Sequence, residues 1–525
     1  MSSPDYFDAS RIPVVKGAEA RVETDVLVYG ATSAGVVAAV KAKRLGYRVV
    51  LAHPGRFVGG MTSGGLTFTD LGNKAVIGGM ARDFYRRLGQ RYGVDEIWKF
   101  EPSAADAVYA DMLSEAGVAP RFNLYLDSVR MSAGSVPRIQ EVAFRGGLVV
   151  AAKWCVDATY EGDLMAAAGV PYVTGREAND QYGESFNGAQ IREHHQFDCD
   201  VSPYRVAGDP ASGLLPFVVA EDSVYEQGSA DTLVQAYNFR VCMTNNPAHR
   251  VPFPKPAAYD PEWYELAARW LACTKANVFA KFDLVTADKT DTNNHGAVST
   301  DFIGGNWDWP DASHEQREGI FQNHVHWQQG LHWFMANDSR VPDAIRQEYA
   351  RWGLAADEFT ETGHWPHQLY VREARRMVSD YVVTDRDCLG ERRCDDPVGM
   401  GAYNMDSHNC RRIVIDGLVR NDGDVQIKLP RPYGISWRAI VPPRGSCENL
   451  AVPVCASTTH IAFGSLRMEP VFMILAESAI EGIALADAAG SGLQNVRYED
   501  LRARLDSAGQ IYAADITNDG KGNPV

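Results

Sequence analysis

Two histidines stand in polar surroundings from which a proton could be moved: His408 in MDSHN and His460 in TTHIAFG. An imidazole with a pKa near neutrality is the side chain best matched to abstracting a hydroxyl proton at physiological pH. Each could equally be a satisfied core histidine. Asn293, Asn294 and His295 form a further polar group, and His364 and His367 bracket Trp365–Pro366. Amides and imidazoles offer donors and acceptors together, so both groups read as lining for a hydroxylated substrate. No metal-ligand pattern is read among the histidines. His324 and His326 are two apart and point to different helix faces, whereas His324 joins Ile320, Trp327, Leu331 and Phe334 on one apolar stripe that reads as core.

A base of this kind needs an electron acceptor beside it, and the N-terminal third has a place to hold one. Val26–Val28 is a short apolar run ending at Gly30, Ala34–Leu45 is rich in Ala and Val with no breaker before Gly46, and Arg48–His53 supplies a second strand. Backbone N–H groups at the start of such a helix have no intrahelical partners and bind pyrophosphate. The turn, Gly30-Ala31-Thr32-Ser33-Ala34-Gly35, keeps the outer glycines of G-x-G-x-x-G and replaces the middle one with Thr32. His53 stands where an acidic residue usually bonds a ribose hydroxyl, a bond that a neutral imidazole can also accept. The loop Gly59–Gly65, which includes Met61, Thr62 and Ser63, has four glycines that permit close backbone approach. Asp163 either takes a hydroxyl of the cofactor or caps the helix Leu164–Ala168. Near the C-terminus a buried helix starts at Pro470, expected at its first position, and runs to Ala489. Arg467 just before it either adds positive charge at a cofactor or pairs with Glu469.

The chain resembles the bacterial FAD-dependent oxidoreductases whose first glycine turn reads GATxAG and whose next loop reads GGMTSGGL. Both are present, the second verbatim at Gly59–Leu66. They are followed by DATYEGD (Asp157–Asp163), DTNNHGAVSTDFIG (Asp291–Gly304), GHWPHQLYVREARRM (Gly363–Met377), GMGAYNMDSHN (Gly399–Asn409) and LAVPVCASTTHIAFGSLRMEPVFM (Leu450–Met473). These blocks run in family order over nearly the whole chain. Two positions depart from the family pattern, His53 where Glu is usual and Phe57 where His is frequent.

The resemblance implies FAD and an α/β, glutathione-reductase-type, Rossmann-like flavin fold. Its FAD contacts would be Gly30, Thr32, Ser33, Ala34, Gly35, His53, Gly59, Gly60, Met61, Thr62, Ser63, Asp163, Arg467 and Pro470. A flavin domain built from two segments, 21–173 and 362–490, would enclose an inserted substrate domain, 174–361, whose texture is rich in Pro and Trp; residues 491–525 would extend the C-terminus. The expected reaction is hydride transfer from a CH–OH carbon of a small polar or sugar-like metabolite to the flavin, with His460 and His408 as base candidates. The electron acceptor that reoxidises the flavin is unknown. Alternatives are an NAD(P)H-dependent flavin monooxygenase or C=C reductase, with Arg56 available for a 2′-phosphate, and a non-catalytic flavin-binding protein. No second glycine-rich βαβ unit for a nicotinamide cofactor is visible.

A net charge of −16 and a pI near 5.3 argue against nucleic-acid or anionic-membrane partners. There is no basic leader and no apolar run of about 18 residues, so the cytoplasm is the expected compartment. Nine cysteines without a C-x-x-C spacing read as reduced thiols, with Cys388 and Cys394 in a charged loop as the pair to watch. The tail Thr517–Val525 reads as disordered.

Overall fold

The computed structural model describes residues 4–134, 136–220 and 225–514; the tail 517–525 lies outside them. Its main sheet is built from β1 (Arg21–Tyr29), β2 (Val49–Ala52), β3 (Pro120–Arg121), β4 (Leu126–Met131), β5 (Ile139–Phe144) and β6 (Val149–Asp157), in the order β3-β2-β1-β6-β5-β4. β3, β2, β1 and β6 are parallel, and β5 and β4 then continue antiparallel. A seventh strand, Leu450–Ala451, pairs in parallel with Cys155 and Val156 of β6, so the C-terminal part of the chain completes a sheet begun at residue 21. Of the apolar run Leu450–Cys455 only the first two residues pair. Val452–Thr459 runs on as buried loop.

Val26–Tyr29 are fully buried because the sheet is covered on both faces. On one side lie the helix α1 (Ser33–Arg44) and the helix Glu469–Ala489, whose first fifteen residues are buried. This Rossmann-like α/β arrangement places a crevice beyond the carboxyl ends of β1 and β6, where connections leave in opposite directions. Pro470 is the second residue of its helix, after Glu469.

A five-stranded antiparallel sheet occupies the middle of the chain, with Val241–Thr244 and Lys289–Thr292 near its centre. The helix His314–Asn337 starts with a Ser313–Gln316 capping box and carries the stripe read from sequence, with His324, Trp327, Leu331 and Phe334 buried. His324 Nδ1 lies 2.8 Å from the Ile320 carbonyl, the bond of a satisfied core histidine. One expectation fails here. Cys199 and Cys273 form a disulfide across 74 residues, while the other seven cysteines are free. Neither residue sits in a recognisable motif, and the helix Glu265–Leu271 and the loop from Phe197 are what bring them together. Cys388 is buried and Cys394 half-buried, and burial raises both thiols above their usual range. Among the described residues no helix is long and apolar enough to cross a membrane.

Candidate active site

The glycine turn begins where β1 ends. Gly30 has φ +100, and a Cβ there would lie 2.7 Å from the carbonyl carbon of Ala158; a Cβ on Gly35 would lie 1.7 Å from the Gly30 oxygen. Both positions therefore exclude any side chain. Thr32, in the place of the missing middle glycine, is the N-cap of α1: its hydroxyl accepts from Gly35 N at 3.3 Å and donates to Ala158 O at 2.7 Å. The substitution thus ties the turn to the end of β6. The second glycine loop packs on the first, with Gly59 N donating to Ala31 O at 2.7 Å. Gly59 and Gly60 are left-handed, and a Cβ on Gly60 would lie 2.2 Å from the Tyr160 hydroxyl.

His53 accepts the Ala31 N–H at its Nδ1, 3.1 Å away. Burial pushes its pKa down to about 4, so the ring is neutral and Nε2 carries the proton. The Nδ1 acceptor that the sequence pattern assigned to a ribose hydroxyl is thus engaged by the glycine turn itself.

Gly30, Thr32, His53, Gly60 and Thr159–Glu161 line one side of a cavity. Asp5, Tyr6, Arg56, Phe57 and His367 fill the rest, Phe57 stacking on His367 with centroids 4.0 Å apart. His367, read from sequence as a substrate contact, lines this cavity beside the glycine turn. Burial pushes its pKa down to about 3, and its Nε2 is buried with no hydrogen-bond partner. The cavity volume is ≈ 60 Å³, below the roughly 300 Å³ of a typical ligand pocket. The donor set fits FAD: side-chain-free turns at a helix N-terminus, a neutral histidine at the end of β2, and an unpartnered imidazole nitrogen.

The loop 59–65 also meets the C-terminal helix. Thr62 and Tyr160 donate to the Glu469 carboxylate, both at 2.8 Å, and Met61 N donates to the Tyr160 hydroxyl. Arg467 does not pair with Glu469. It donates to the Tyr370 hydroxyl at 2.6 Å and lies 3.7 Å from the Asp406 carboxylate. Asp163 is the first residue of its short helix, after Gly162 at the cap, and its carboxylate makes no capping bond. Arg317, from the helix His314–Asn337, and Arg375 grip it at 2.6 and 2.7 Å. Burial works to raise the Asp163 carboxyl, but Arg317 outweighs it and holds the pKa below the usual range.

A second polar centre forms around His408. Asp406 and His408 are two apart at a strand, Met405–Ser407, which turns both to one face. His408 Nδ1 lies 2.7 Å from Asp301 Oδ2, and its Nε2 lies 3.7 Å from Asp406. Arg372 pairs with the other Asp301 oxygen at 3.0 Å. Arg372 and Arg467 are buried, and the Nε of each lacks a hydrogen-bond partner. For His408, burial and Arg372 act to lower the pKa, and the carboxylates of Asp301 and Asp406 overcome them to raise it. His460 is placed differently. It starts the helix His460–Leu466, with Nδ1 2.7 Å from Glu373 and Nε2 2.8 Å from Ser407, so both nitrogens are engaged.

Asn294 and His295 lie apart from His364 and His367. Asn294 reaches His195, and Asn293 and His295 line a separate small cavity with Trp270 and Phe282. His364, at φ +66, turns its Nδ1 to the Glu358 carbonyl. Asp301, Arg372 and Asp406 were not singled out from sequence. The period-two spacing of Asp406 and His408 was a signal for one of them; the other two approach from distant segments.

A family model described as FAD dependent oxidoreductase matches residues 25–505. No curated protein matches the chain. Similar solved structures include THI4 of Thermovibrio ammonificans, at 23% identity and TM-score 0.24, covering 30% of this chain and 67% of that one. The L-amino acid deaminase from Proteus vulgaris follows at 16% and 0.24, covering 31% and 55%. A flavin monooxygenase from Stenotrophomonas maltophilia is similar at 16% and 0.21, covering 30% and 42%. The family match makes FAD the cofactor.

Proposed function

We propose a reaction for this chain, which belongs to the FAD-dependent oxidoreductase family over residues 25–505: oxidation of a CH–OH carbon in a small polar or sugar-like metabolite. The observation that carries the proposal is the His408–Asp301 pair, 2.7 Å long and buried, with His408 Nε2 held by nothing closer than Asp406 at 3.7 Å. Asp301 accepts a hydrogen bond from Nδ1–H and so fixes the tautomer in which Nε2 is the basic atom. Nε2 receives the substrate hydroxyl proton. Arg372 and Arg467 orient the oxygen that becomes a carbonyl, since their Nε donors lack protein partners. FAD, when bound, supplies the two-electron acceptor for the hydride. His460, closed between Glu373 and Ser407, positions the segment that carries His408.

Anaerobic mixing of the yellow protein with polyols or sugars tests this reading. Loss of the flavin band with an alcohol alone supports it. Loss only with NADPH assigns the chain to a monooxygenase or reductase, and no loss with any donor assigns it to non-catalytic flavin binding.

A further inference from the structure

A cluster distinct from both centres forms where the loop 187–197 meets the turn 421–424. His194 Nδ1 lies 3.0 Å from Asp424 Oδ1, and His195 Nδ1 lies 2.8 Å from Asp424 Oδ2. The His194 and His195 rings are 4.0 Å apart, and His295 stands edge-on to His195 at 5.7 Å. One potential ligand atom from each of His194, His195 and Asp424 falls within 4.8 Å of the others.

Neighbouring side chains on an extended backbone point apart, and these two converge because His195 is left-handed, at φ +48. That conformation is strained for a non-glycine residue and persists only where its surroundings impose it. They do so here. Asn421 Nδ2 donates to His195 O at 2.9 Å, Asn421 N to Gln196 Oε1 at 2.8 Å, and Gln190 N to Asp422 Oδ1 at 2.8 Å. The strain is therefore spent on bringing two imidazoles to one carboxylate.

The local hydrogen bonding is also frustrated. His195 Nδ1 faces both an Asp424 oxygen, which requires a donor, and the Asn294 amide nitrogen at 3.3 Å, which requires an acceptor. One ring nitrogen cannot serve both. A cation among these atoms relieves the opposition between Nδ1 and Asp424, because each Nδ1 and the carboxylate then direct a lone pair at the ion. The 3.0 and 2.8 Å separations run to different Asp424 oxygens, so the carboxylate spans both imidazoles, and one ligand atom from each residue, within 4.8 Å of the others, can be drawn towards the ~3.3 Å edges of a tetrahedron with metal–ligand bonds of about 2.0–2.1 Å.

We propose that His194, His195 and Asp424 form a two-histidine, one-carboxylate site for a divalent first-row transition ion such as Zn²⁺ or Co²⁺, with His295 as an adjacent imidazole donor. Mixed imidazole and carboxylate ligation suits this class of ion better than Ca²⁺ or Mg²⁺, which take oxygen donors. Asp424 and His195 anchor the ion in the protein with side chains 2% and 7% exposed, and His194, at 49%, leaves it open to water. The cluster acts electrostatically on Asp301 and Asp406, so the ion would sit beside the His408 centre. Sequence spacing could not reveal the set, since Asp424 is 229 residues from His195.

The test is a titration of FAD-loaded, chelator-treated protein with CoCl₂, read by visible absorption difference and then by displacement with ZnCl₂. One saturable Co²⁺ per chain is expected, displaced by Zn²⁺. Binding should weaken by more than about 100-fold in His194→Ala, beyond the loss typical of outer-sphere partners. FAD content and far-UV dichroism should stay unchanged, because His194 is half-exposed. Asp424→Asn is the second variant, with the same loss expected. Absence of saturable Co²⁺ binding in the wild type, or undiminished affinity in His194→Ala, overturns the proposal.

Discussion

Replacing His408 with glutamine isolates its proposed role as a base. Glutamine is close to histidine in volume, and its amide N–H can still donate to Asp301, so the buried carboxylate keeps a partner beside Arg372. Only the basic nitrogen that faces Asp406 is lost. A positioned general base contributes about 10²–10⁴ in rate, which corresponds to roughly 2.7–5.4 kcal/mol of barrier. The assay is anaerobic stopped-flow reduction of the flavin band across pH. In the wild type the rate should climb with pH and level off, because His408 must be neutral to act. The inflection should lie above the ordinary imidazole value, since Asp301 and Asp406 raise this pKa against burial and Arg372. The glutamine variant should bind FAD normally, run about 10²–10⁴ slower, and lose that inflection. Wild-type rate with an unchanged inflection in His408→Gln would refute the assignment and move the search to His295 and His364.

Asp406→Asn removes one of the two carboxylates that raise the His408 pKa, so the rate inflection should move to lower pH; an unmoved inflection contradicts the pairing. Gly35→Val should yield protein without FAD, measured by absorbance after gel filtration, because even a Cβ meets the Gly30 oxygen at 1.7 Å. Asp163→Asn leaves Arg317 and Arg375 underpaired and should cost about 3–5 kcal/mol in denaturant unfolding at pH 7. Because the folded pKa of Asp163 is depressed, its contribution is present above the usual carboxylate range and lost as pH falls, so the variant's deficit should shrink in acid. A thiol titration of unfolded, unreduced protein should count seven free cysteines, and nine would contradict the Cys199–Cys273 bond.

The cofactor side of the site was legible in the sequence because its determinants are local. A strand, a glycine turn and a helix are specified by neighbours along the chain, and β1 and α1 stand where Val26–Val28 and Ala34–Leu45 were read. The pairing of Leu450–Ala451 with β6 could be anticipated only through family resemblance, since two residues carry no periodicity. Long-range electrostatics were opaque. Nothing near Arg467 in sequence distinguishes Asp406 from Glu469 as its partner; the tertiary fold sends Glu469 to Thr62 and Tyr160 instead. The same holds for Asp163, whose partner Arg317 is 154 residues away, and for the Asp301–His408 pair at 107 residues. His460 and His408 looked alike in sequence. Ser407 and Glu373 close the first, while the second keeps a nitrogen open.

The central claim is that a carbon-bound hydride leaves as His408 takes the hydroxyl proton, and isotopic substitution of the donor reads this step directly. A bleaching alcohol deuterated at its carbinol carbon should reduce the flavin more slowly than the protiated donor in anaerobic stopped flow, with the carbonyl product appearing in step with the bleaching. Bleaching without carbonyl product, or product formed without loss of the flavin band, would contradict the account.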